Sequence, residues 1–402
     1  MKANKIQIKE IERALHDGEF CFYYQPKVSF LNGRIVGGEA LLRWVKPDGA
    51  VIPPGAFLPQ CEKSGFITDI TAVMLSELIE DIGAIRKVKT DIQVAFNVSS
   101  LDLHSPYLVK MLRSFIGSRR IDPGNIQIEI TETAIVDSSE RIQKSLLDLV
   151  ALGVEVVMDD YGTGYSSLDV LSRLPFSAIK LDQGVVGRMS SDARNTHIVQ
   201  SILYMARELS LKTVAEGVEN ECVYTFLMAS GCNEVQGYWV SRPIPLKDFI
   251  EMLKANPRWP SSSFGLLYNA WVNHNSYRRK VLDAVYTLTK VAPEGWKDLP
   301  KMDLAHSPAR CRLGQWYKKK GRRNDDASTS SHPTNPQDPH DRMHAAGEAL
   351  ERAVRGQAGP KSVRAALKTF LDFSDIVDAE VSRIVEEGLS ETLGESYSDS
   401  SK

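Results

Sequence analysis

The sequence lacks several features that would place it in common protein classes. It has no run of about 18 uncharged apolar residues, which a membrane-spanning helix requires. Its first twenty residues are charged and lack the apolar centre of a secretory signal peptide. The formal net charge is only -2, so no general basic surface indicates binding to bulk nucleic acid. We therefore expect a cytoplasmic protein without a membrane span.

Cysteine is also scarce in this sequence. An odd number of cysteines without regular spacing is not typical of a disulfide framework and favours a reducing compartment. Only one of them follows residue 232. The five cysteines are Cys21, Cys61, Cys222, Cys232 and Cys311.

Up to about residue 255, short β-rich runs alternate with amphipathic helical stretches. Eight strands alternating with helices predict an α/β fold, a modified (β/α)8 barrel of the TIM type. Only a turn at Asn32-Gly33 separates the first two runs, so we expect the barrel to begin with a hairpin. The eight runs cover residues 20–28, 34–44, 92–99, 126–131, 154–161, 178–182, 212–218 and 234–240.

The pattern changes at a proline-containing stretch, residues 256–265, which we interpret as a linker. Long helical periodicities follow, interrupted by a Ser/Thr/Pro-rich loop. They predict an all-α four-helix bundle over residues 266–390, after a barrel domain at 1–255. The polar residues 391–402 are predicted to be a disordered tail.

Side chains that can bind metal or phosphate end nearly every predicted strand of the barrel. In this fold the active site lies at the carboxyl ends of the strands. Several carboxylates at one rim would raise one another's pKa unless a divalent cation were bound. The oxygen ligands favour Mg²⁺ or Mn²⁺ over zinc. The residues are Glu39, Asn97, Glu129, Glu132, Asp159, Asp160, Lys180, Glu216 and Gln236.

The consecutive residues Asp159 and Asp160 indicate a centre with two metal ions. If one of them bridges, two ions can lie about 3.5–4 Å apart, the spacing of two-metal phosphoryl chemistry. Lys180 could hold the nucleophilic water or stabilise developing negative charge. Glu216 could accept the proton of that water or serve as a further ligand.

These residues lie in motifs that resemble the EAL family of cyclic di-GMP phosphodiesterases. The motifs are YYQPK, GGEALLRW, FNVSS, EITET, DDYGTGYSSL, IKLD, AEGVE and QGYWVSRP, in the family's order and spacing. The resemblance covers about residues 5–255 and implies Mg²⁺- or Mn²⁺-dependent hydrolysis of cyclic di-GMP to linear pGpG. It implies as metal ligands Glu39, Asn97, Glu129, Asp159 and Asp160.

The same resemblance implies roles for the other matched residues. Lys180 and Glu216 would be the catalytic pair, and Glu132 would steady the loop at 161–167 instead of binding metal. Family barrels pair through a helix near this loop, so we expect a homodimer. The residues implied to contact substrate are Gln25, Arg43 and Gln236; the planar fork of an arginine suits a phosphate.

The C-terminal third carries a second set of possible metal ligands. His340 and His344 are four residues apart, so on a helix they share a face and can bind one metal ion. Cys311 adds a thiolate, and His274 could complete a tetrahedral zinc site. The segments HNSY at 274–277 and CRLGQWY at 311–317, with this pair, resemble the chemoreceptor zinc-binding (CZB) domain. One departure from that family is a longer stretch of sequence from Tyr277 to Cys311, which a loop insertion around residues 292–304 would absorb.

These patterns leave three functional hypotheses. The first is a cyclic di-GMP phosphodiesterase regulated by its C-terminal domain, either through zinc occupancy or through oxidation of Cys311; a purely structural zinc ion is the alternative there. The second is a catalytically silent cyclic di-GMP receptor that signals through protein contacts. The third is a metal-responsive scaffold. The loss of Glu39, Asp159 or Lys180 would favour the second, and all three are present.

Overall fold

The computed structural model divides the chain into two compact units, residues 1–262 and 263–402. It describes residues 6–135, 140–162, 168–262, 264–292, 294–295, 339–356 and 358–398. None of the helices in this described part combines the length and apolarity that crossing a membrane requires.

The first unit is built around a closed barrel of eight strands. The strands β2 and β4 to β9 run parallel to one another, whereas β1 is antiparallel to both β2 and β9 and closes the barrel between them. The predicted barrel with an initial hairpin is therefore confirmed. The strands are β1 (Phe20–Ser29), β2 (Ile35–Val45), β4 (Gln93–Val98), β5 (Ile126–Thr131), β6 (Glu155–Tyr161), β7 (Ala178–Leu181), β8 (Lys212–Ala215) and β9 (Glu234–Val235), with β3 (Val51–Ile52) and β10 (Ile244–Pro245) at the edges.

Amphipathic helices cover the outside of the barrel. In α3 (Ile67–Arg86) the buried residues recur every three or four positions, which places Ile70, Met74 and Leu78 on one face against the strands. The other helices of this unit are α1 (Ile8–His16), α2 (Leu58–Ser64), α4 (Ser100–His104), α5 (Tyr107–Gly117), α6 (Glu132–Ile135), α7 (Glu140–Ala151), α8 (Leu168–Arg173), α9 (Gln183–Gly187), α10 (Ala193–Glu208), α11 (Glu221–Ala229) and α12 (Leu246–Ala255).

Residues 256–262, within the stretch expected to be a linker, bind to the barrel. The backbone nitrogen of Trp259 donates to the carbonyl of Gly33, at 3.0 Å, and that of Ser262 donates to Phe30, at 3.2 Å. The hydroxyl of Tyr224 donates to the carbonyl of Pro260, at 2.6 Å. These bonds fasten the segment to the turn between β1 and β2 and to α11, in agreement with a first unit that ends at residue 262.

The described part of the second unit contains three long helices. They are α13 (Phe264–Lys290), α14 (Pro339–Arg355) and α15 (Pro360–Ser398), and α15 includes residues that we expected to be a disordered tail. Tyr277, Val281, Met343, Leu350 and Phe370 form the core between them. Residues 296–338 lie outside the described residues. A four-helix bundle therefore stays a prediction.

Candidate active site

The interior of the barrel mouth is lined by side chains that alternate with core residues along the strands. On β1 and β2, Gln25 lies opposite Glu39 in the antiparallel register. The Gln236 side chain donates to both, at 2.9 Å to Gln25 and 2.5 Å to Glu39. Asn97, on β4, donates to the other oxygen of Glu39 at 2.6 Å. Four strands thus converge on one buried carboxylate, and the amide oxygen of Asn97 stays available for a cation.

Lys180 lies at the centre of the carboxylate cluster and has no exposed surface. Its Nζ is 2.6 Å from Glu216, 2.7 Å from Glu129, 3.2 Å from Asp159 and 3.3 Å from Glu39. These residues end five different strands of the barrel, so the ammonium group cross-links the mouth electrostatically. The structure therefore brings together the predicted catalytic pair and three of the predicted metal ligands.

Asp159 and Asp160 both contribute to the mouth because β6 is irregular there. Side chains of consecutive strand residues normally point to opposite faces. Here the register with β7 shifts between Met158 and Tyr161, and Asp160 has a left-handed φ of 56°. Such a bulge redirects a side chain, and aspartate tolerates this conformation better than most residues. The backbone nitrogen of Asp160 donates to Asp159 at 2.8 Å, which fixes the pair.

Two groups of three carboxylates could each hold a cation. Glu39, Glu129 and Asp159 form one, and Asp159, Asp160 and Glu216 form the other; within each group the ligand oxygens lie within 4.8 Å of one another. Asp159 belongs to both groups, as a bridging ligand would. The donors are all oxygens, which suits Mg²⁺ or Mn²⁺. The residues present therefore fit a centre for hard divalent cations.

The electrostatics of the cluster agree with this fit. Burial opposes the ionisation of Glu39, but Lys180, Lys27 and two amide hydrogen bonds outweigh it and lower its pKa to about 2. Burial raises the pKa of Glu129, and raises that of Glu216 well above its usual range, although Lys180 opposes both shifts. The surrounding carboxylates outweigh the effect of burial on Lys180, so its pKa is raised well above the ordinary value. The cluster thus contains more carboxyl groups than lysines.

The remaining predicted barrel residues lie beside this cluster. Arg43 is on β2, four residues after Glu39, and is half-buried with its guanidinium 5.6 Å from the ring of Tyr23. Burial lowers the pKa of Arg43. Glu132, at the start of α6, is 3% exposed, and neither of its carboxylate oxygens has a hydrogen-bond partner within the described chain. The loop residues 163–167, which Glu132 was expected to support, lie outside the described residues.

Sequence reasoning missed Lys27. It lies on β1 two residues after Gln25, so both side chains face the barrel interior. Its Nζ is 2.9 Å from Glu129 and 3.0 Å from the side-chain oxygen of Gln127. The alternation of β1 was a signal that could have identified it, because a lysine at an inward position requires a buried partner.

In the second unit, the three described histidines of the predicted zinc site are buried. His274, His340 and His344 are 0%, 2% and 1% exposed. The rings of His340 and His344 have centroids 4.7 Å apart, as expected one helical turn apart. Burial lowers the pKa of His274 to about 4, so its imidazole is neutral, the form that binds metal. Cys311 lies outside the described residues.

Comparison with known proteins agrees with the barrel. The chain is 36% identical over 244 residues to the bifunctional diguanylate cyclase/cyclic di-GMP phosphodiesterase MucR of Pseudomonas aeruginosa, covering 60% of this chain and 36% of MucR. It is 33% identical over 244 residues to the cyclic di-GMP phosphodiesterase RocR of the same organism, covering 61% of this chain and 62% of RocR. The chain thus spans about a third of the length of MucR and less than two thirds of RocR.

A solved structure of the PaMucR phosphodiesterase in complex with c-di-GMP has the same barrel. It is 37% identical, with a TM-score of 0.57, and the match covers 60% of this chain and 98% of that chain. The family model described as the EAL domain matches residues 8–243, more than half of the sequence. The chain therefore belongs to the EAL domain family.

Proposed function

We propose that this protein hydrolyses cyclic di-GMP to linear pGpG with Mg²⁺ or Mn²⁺ as cofactor. The observation that carries this proposal is the arrangement of carboxylates around the buried Lys180. They form two sets of three residues, and Asp159 belongs to both sets. The similarity to RocR and MucR, which are named as cyclic di-GMP phosphodiesterases, supports the choice of substrate.

The residues that would hold the metal ions are Glu39, Asn97, Glu129, Asp159 and Asp160. Two such ions would lower the pKa of water and neutralise charge on the attacked phosphate. The bond that forms joins a water oxygen to phosphorus, and the bond that breaks joins that phosphorus to a 3′-oxygen, which gives a 5′-phosphate as in pGpG.

Lys180 and Glu216 are suited to orient the attacking water and to accept its proton. The ammonium group of Lys180 can donate a hydrogen bond to the attacking water and to the developing negative charge, because it stays charged in this acidic environment. Glu216 lies 2.6 Å from that ammonium group and is more exposed than the other carboxylates around it. It can therefore accept the proton of the water.

Substrate contacts are proposed at the edge of this centre. Arg43 can bind a phosphate bidentately, and its stacking against Tyr23 restricts the orientation of the guanidinium. Gln25 and Gln236 bond to each other and to Glu39 or Ser241, so their amides are fixed before substrate arrives. We propose that Glu132 supports the loop that follows Asp160.

The test is direct. Purified full-length protein incubated with cyclic di-GMP and Mg²⁺ or Mn²⁺ is expected to release pGpG, measured by chromatography, and a chelator is expected to stop the reaction. Binding of cyclic di-GMP without turnover, over the whole range of protein and metal concentrations, would instead establish the receptor hypothesis. The intact set Glu39, Asp159 and Lys180 favours the enzyme.

We further propose a zinc site formed by His274, Cys311, His340 and His344. Its support is the burial of three histidines on α13 and α14 and the neutrality of His274. In the described part of the chain, sets of three possible ligand atoms within 4.8 Å of one another occur at the barrel mouth. The three histidines do not form such a set. The zinc proposal therefore requires Cys311 and also a closer approach of the three histidine side chains to one another. Metal analysis of the wild type and of a Cys311→Ala, His344→Ala double variant tests it; equal zinc in both would reject the site.

A zinc site fused to a phosphodiesterase is proposed to be regulatory. Zinc occupancy and oxidation of Cys311 are the two inputs to compare, with the hydrolysis rate as the output. A zinc titration should be repeated on a chain truncated after Ser262, which keeps the bonds from residues 256–262 to the barrel. An equal effect on both proteins would mean that zinc acts at the barrel mouth and not at the histidines.

A homodimer is proposed as the assembled form. This proposal rests on the family resemblance, which places the contact on a helix near the loop that follows Asp160; Leu168, at the start of α8, is 59% exposed and lies at that position. Light scattering on the wild type and on a Leu168→Glu variant tests this proposal, because a charge in an apolar interface should shift the protein towards the monomer.

A further inference from the structure

Lys27 is a buried charge that the proposed chemistry does not use. Its side chain is 2% exposed, near the end of β1. A fully buried lysine is rare and needs a compensating partner. Lys27 has two, because its Nζ lies 2.9 Å from Oε1 of Glu129 and 3.0 Å from Oε1 of Gln127. The residue therefore connects the carboxylate cluster with the polar interior of the barrel.

Glu129 is held by a different lysine at each carboxylate oxygen. Lys27 binds Oε1, and Lys180 binds Oε2 at 2.7 Å. The two lysines differ in their other partners. Lys180 shares its ammonium group with further carboxylates of the cluster, whereas the second partner of Lys27 is an amide outside it. Lys27 thus engages only the oxygen of Glu129 that points away from Lys180.

The position of Lys27 is fixed from inside the barrel. The side-chain nitrogen of Gln127 donates to Gln93 and to Glu155, both at 3.0 Å, so its oxygen is turned towards Lys27. Glu155 in turn lies 3.3 Å from the Nζ of Lys212. This row of hydrogen bonds joins side chains of β1, β4, β5, β6 and β8. It continues beyond the cluster, so it orients Lys27 independently of what is bound at the mouth.

We propose that Lys27 is a positioning residue for the metal centre, which holds Glu129 so that a single oxygen, Oε2, faces the cation. This inference rests on the proposed function, because it assigns Glu129 to a metal ion. Partners that orient a ligand in this way typically change metal affinity by about 10–100-fold when they are removed. A lysine that only neutralised a buried carboxylate would compete with the cation for Glu129, so its removal would leave Mn²⁺ binding unchanged or make it tighter.

The experiment compares Mn²⁺ binding to the full-length chain, freed of metal, by titration calorimetry. Lys27→Met is expected to weaken Mn²⁺ binding by at least about tenfold. The matched control is Lys212→Met, which removes a lysine from the same row of hydrogen bonds without touching Glu129, and its Mn²⁺ affinity should match the wild type. The Mn²⁺ concentration for half-maximal hydrolysis should rise with Lys27→Met, with the KM for cyclic di-GMP unchanged at saturating Mn²⁺.

A second variant covers the case in which Lys27→Met does not fold. Gln127→Met removes the amide that orients Lys27 but keeps both charges, and is expected to weaken Mn²⁺ binding by a smaller factor. Wild-type Mn²⁺ affinity in whichever of these variants folds would overturn the inference while leaving the proposed function intact. Failure of the wild type itself to bind Mn²⁺ would overturn the metal centre and the role of Lys27 together.

Discussion

The ammonium nitrogen of Lys180 lies 2.6 Å from a carboxylate oxygen of Glu216, and the lysine has no exposed surface. This ion pair is the shortest of four that Lys180 makes, and the other three are with residues assigned to metal binding. The same side chain therefore stabilises the fold of the mouth and, in the proposed reaction, would contact the water and the phosphate. These two roles can be separated, because a divalent cation can replace the structural role but not the chemical one.

Replacing Lys180 by methionine should destabilise the metal-free protein. Removing one partner of a buried ion pair typically costs about 3–5 kcal/mol, because the other charges stay buried. Added Mn²⁺ should restore much of this stability, while hydrolysis stays lost. Thermal unfolding with and without Mn²⁺ measures the effect. Lys254→Met is the control, because its ion pair with Glu251 is exposed and should contribute little. Unchanged stability of metal-free Lys180→Met would contradict the prediction.

Glu39→Gln should remove activity and keep the fold. The amide occupies the same volume and can still bond to Asn97 or Gln236, but it is a poor ligand for a hard cation. We expect hydrolysis to fall by at least about a thousandfold, equivalent to about 4 kcal/mol of transition-state stabilisation. Initial rates measure the loss of activity, and circular dichroism checks that the fold is kept. Glu80→Gln, at an exposed site on α3, should retain full activity.

The pKa of His274 predicts a pH dependence for the metal-free second unit. The folded pKa is about 4, below the ordinary value of 6.5, so the unfolded chain takes up a proton that the folded chain does not. Stability is then complete above pH 6.5 and falls as the pH drops towards 4, by up to about 3 kcal/mol. Unfolding free energies of chelator-treated protein measure this slope. His274→Leu should reduce the pH dependence of the unfolding free energy. His16→Gln, at an exposed site, should leave it unchanged.

The convergence of Glu39, Asn97, Glu129 and Lys180 could be predicted from the sequence. Parallel strands of a barrel all end at the same rim, so residues at strand ends become neighbours whatever the details of packing. The joint use of Asp159 and Asp160 was predictable from chemistry but not from strand geometry. It depends on the left-handed φ of Asp160 and a register shift, and neither is visible in the residue types.

Alternation along β1 indicates that Lys27 faces inward, but neither its partners nor the attachment of residues 256–262 could be predicted from the sequence. The position of Lys27 along the barrel axis depends on the register of the antiparallel strand β1. This register places Lys27 opposite Gly37 and within hydrogen-bonding distance of Glu129. The segment resembled a linker because of its two prolines. Its attachment depends on backbone hydrogen bonds to residues more than two hundred positions earlier, about which side-chain patterns give no information.

The attachment of that segment gives a further prediction, at Gly33. This residue has a φ of 62°, and a Cβ there would lie 2.0 Å from the carbonyl oxygen of Trp259. Gly33→Ala should therefore incur both backbone strain and a clash that displaces Trp259. Gly49 is the matched control, because its φ is 84° but nothing lies within 4 Å of its Cβ position. Strain alone costs about 1–2 kcal/mol, so denaturant unfolding should show a loss of that size for Gly49→Ala and a larger one for Gly33→Ala. Equal losses would show that residues 256–262 move away from the turn at no cost.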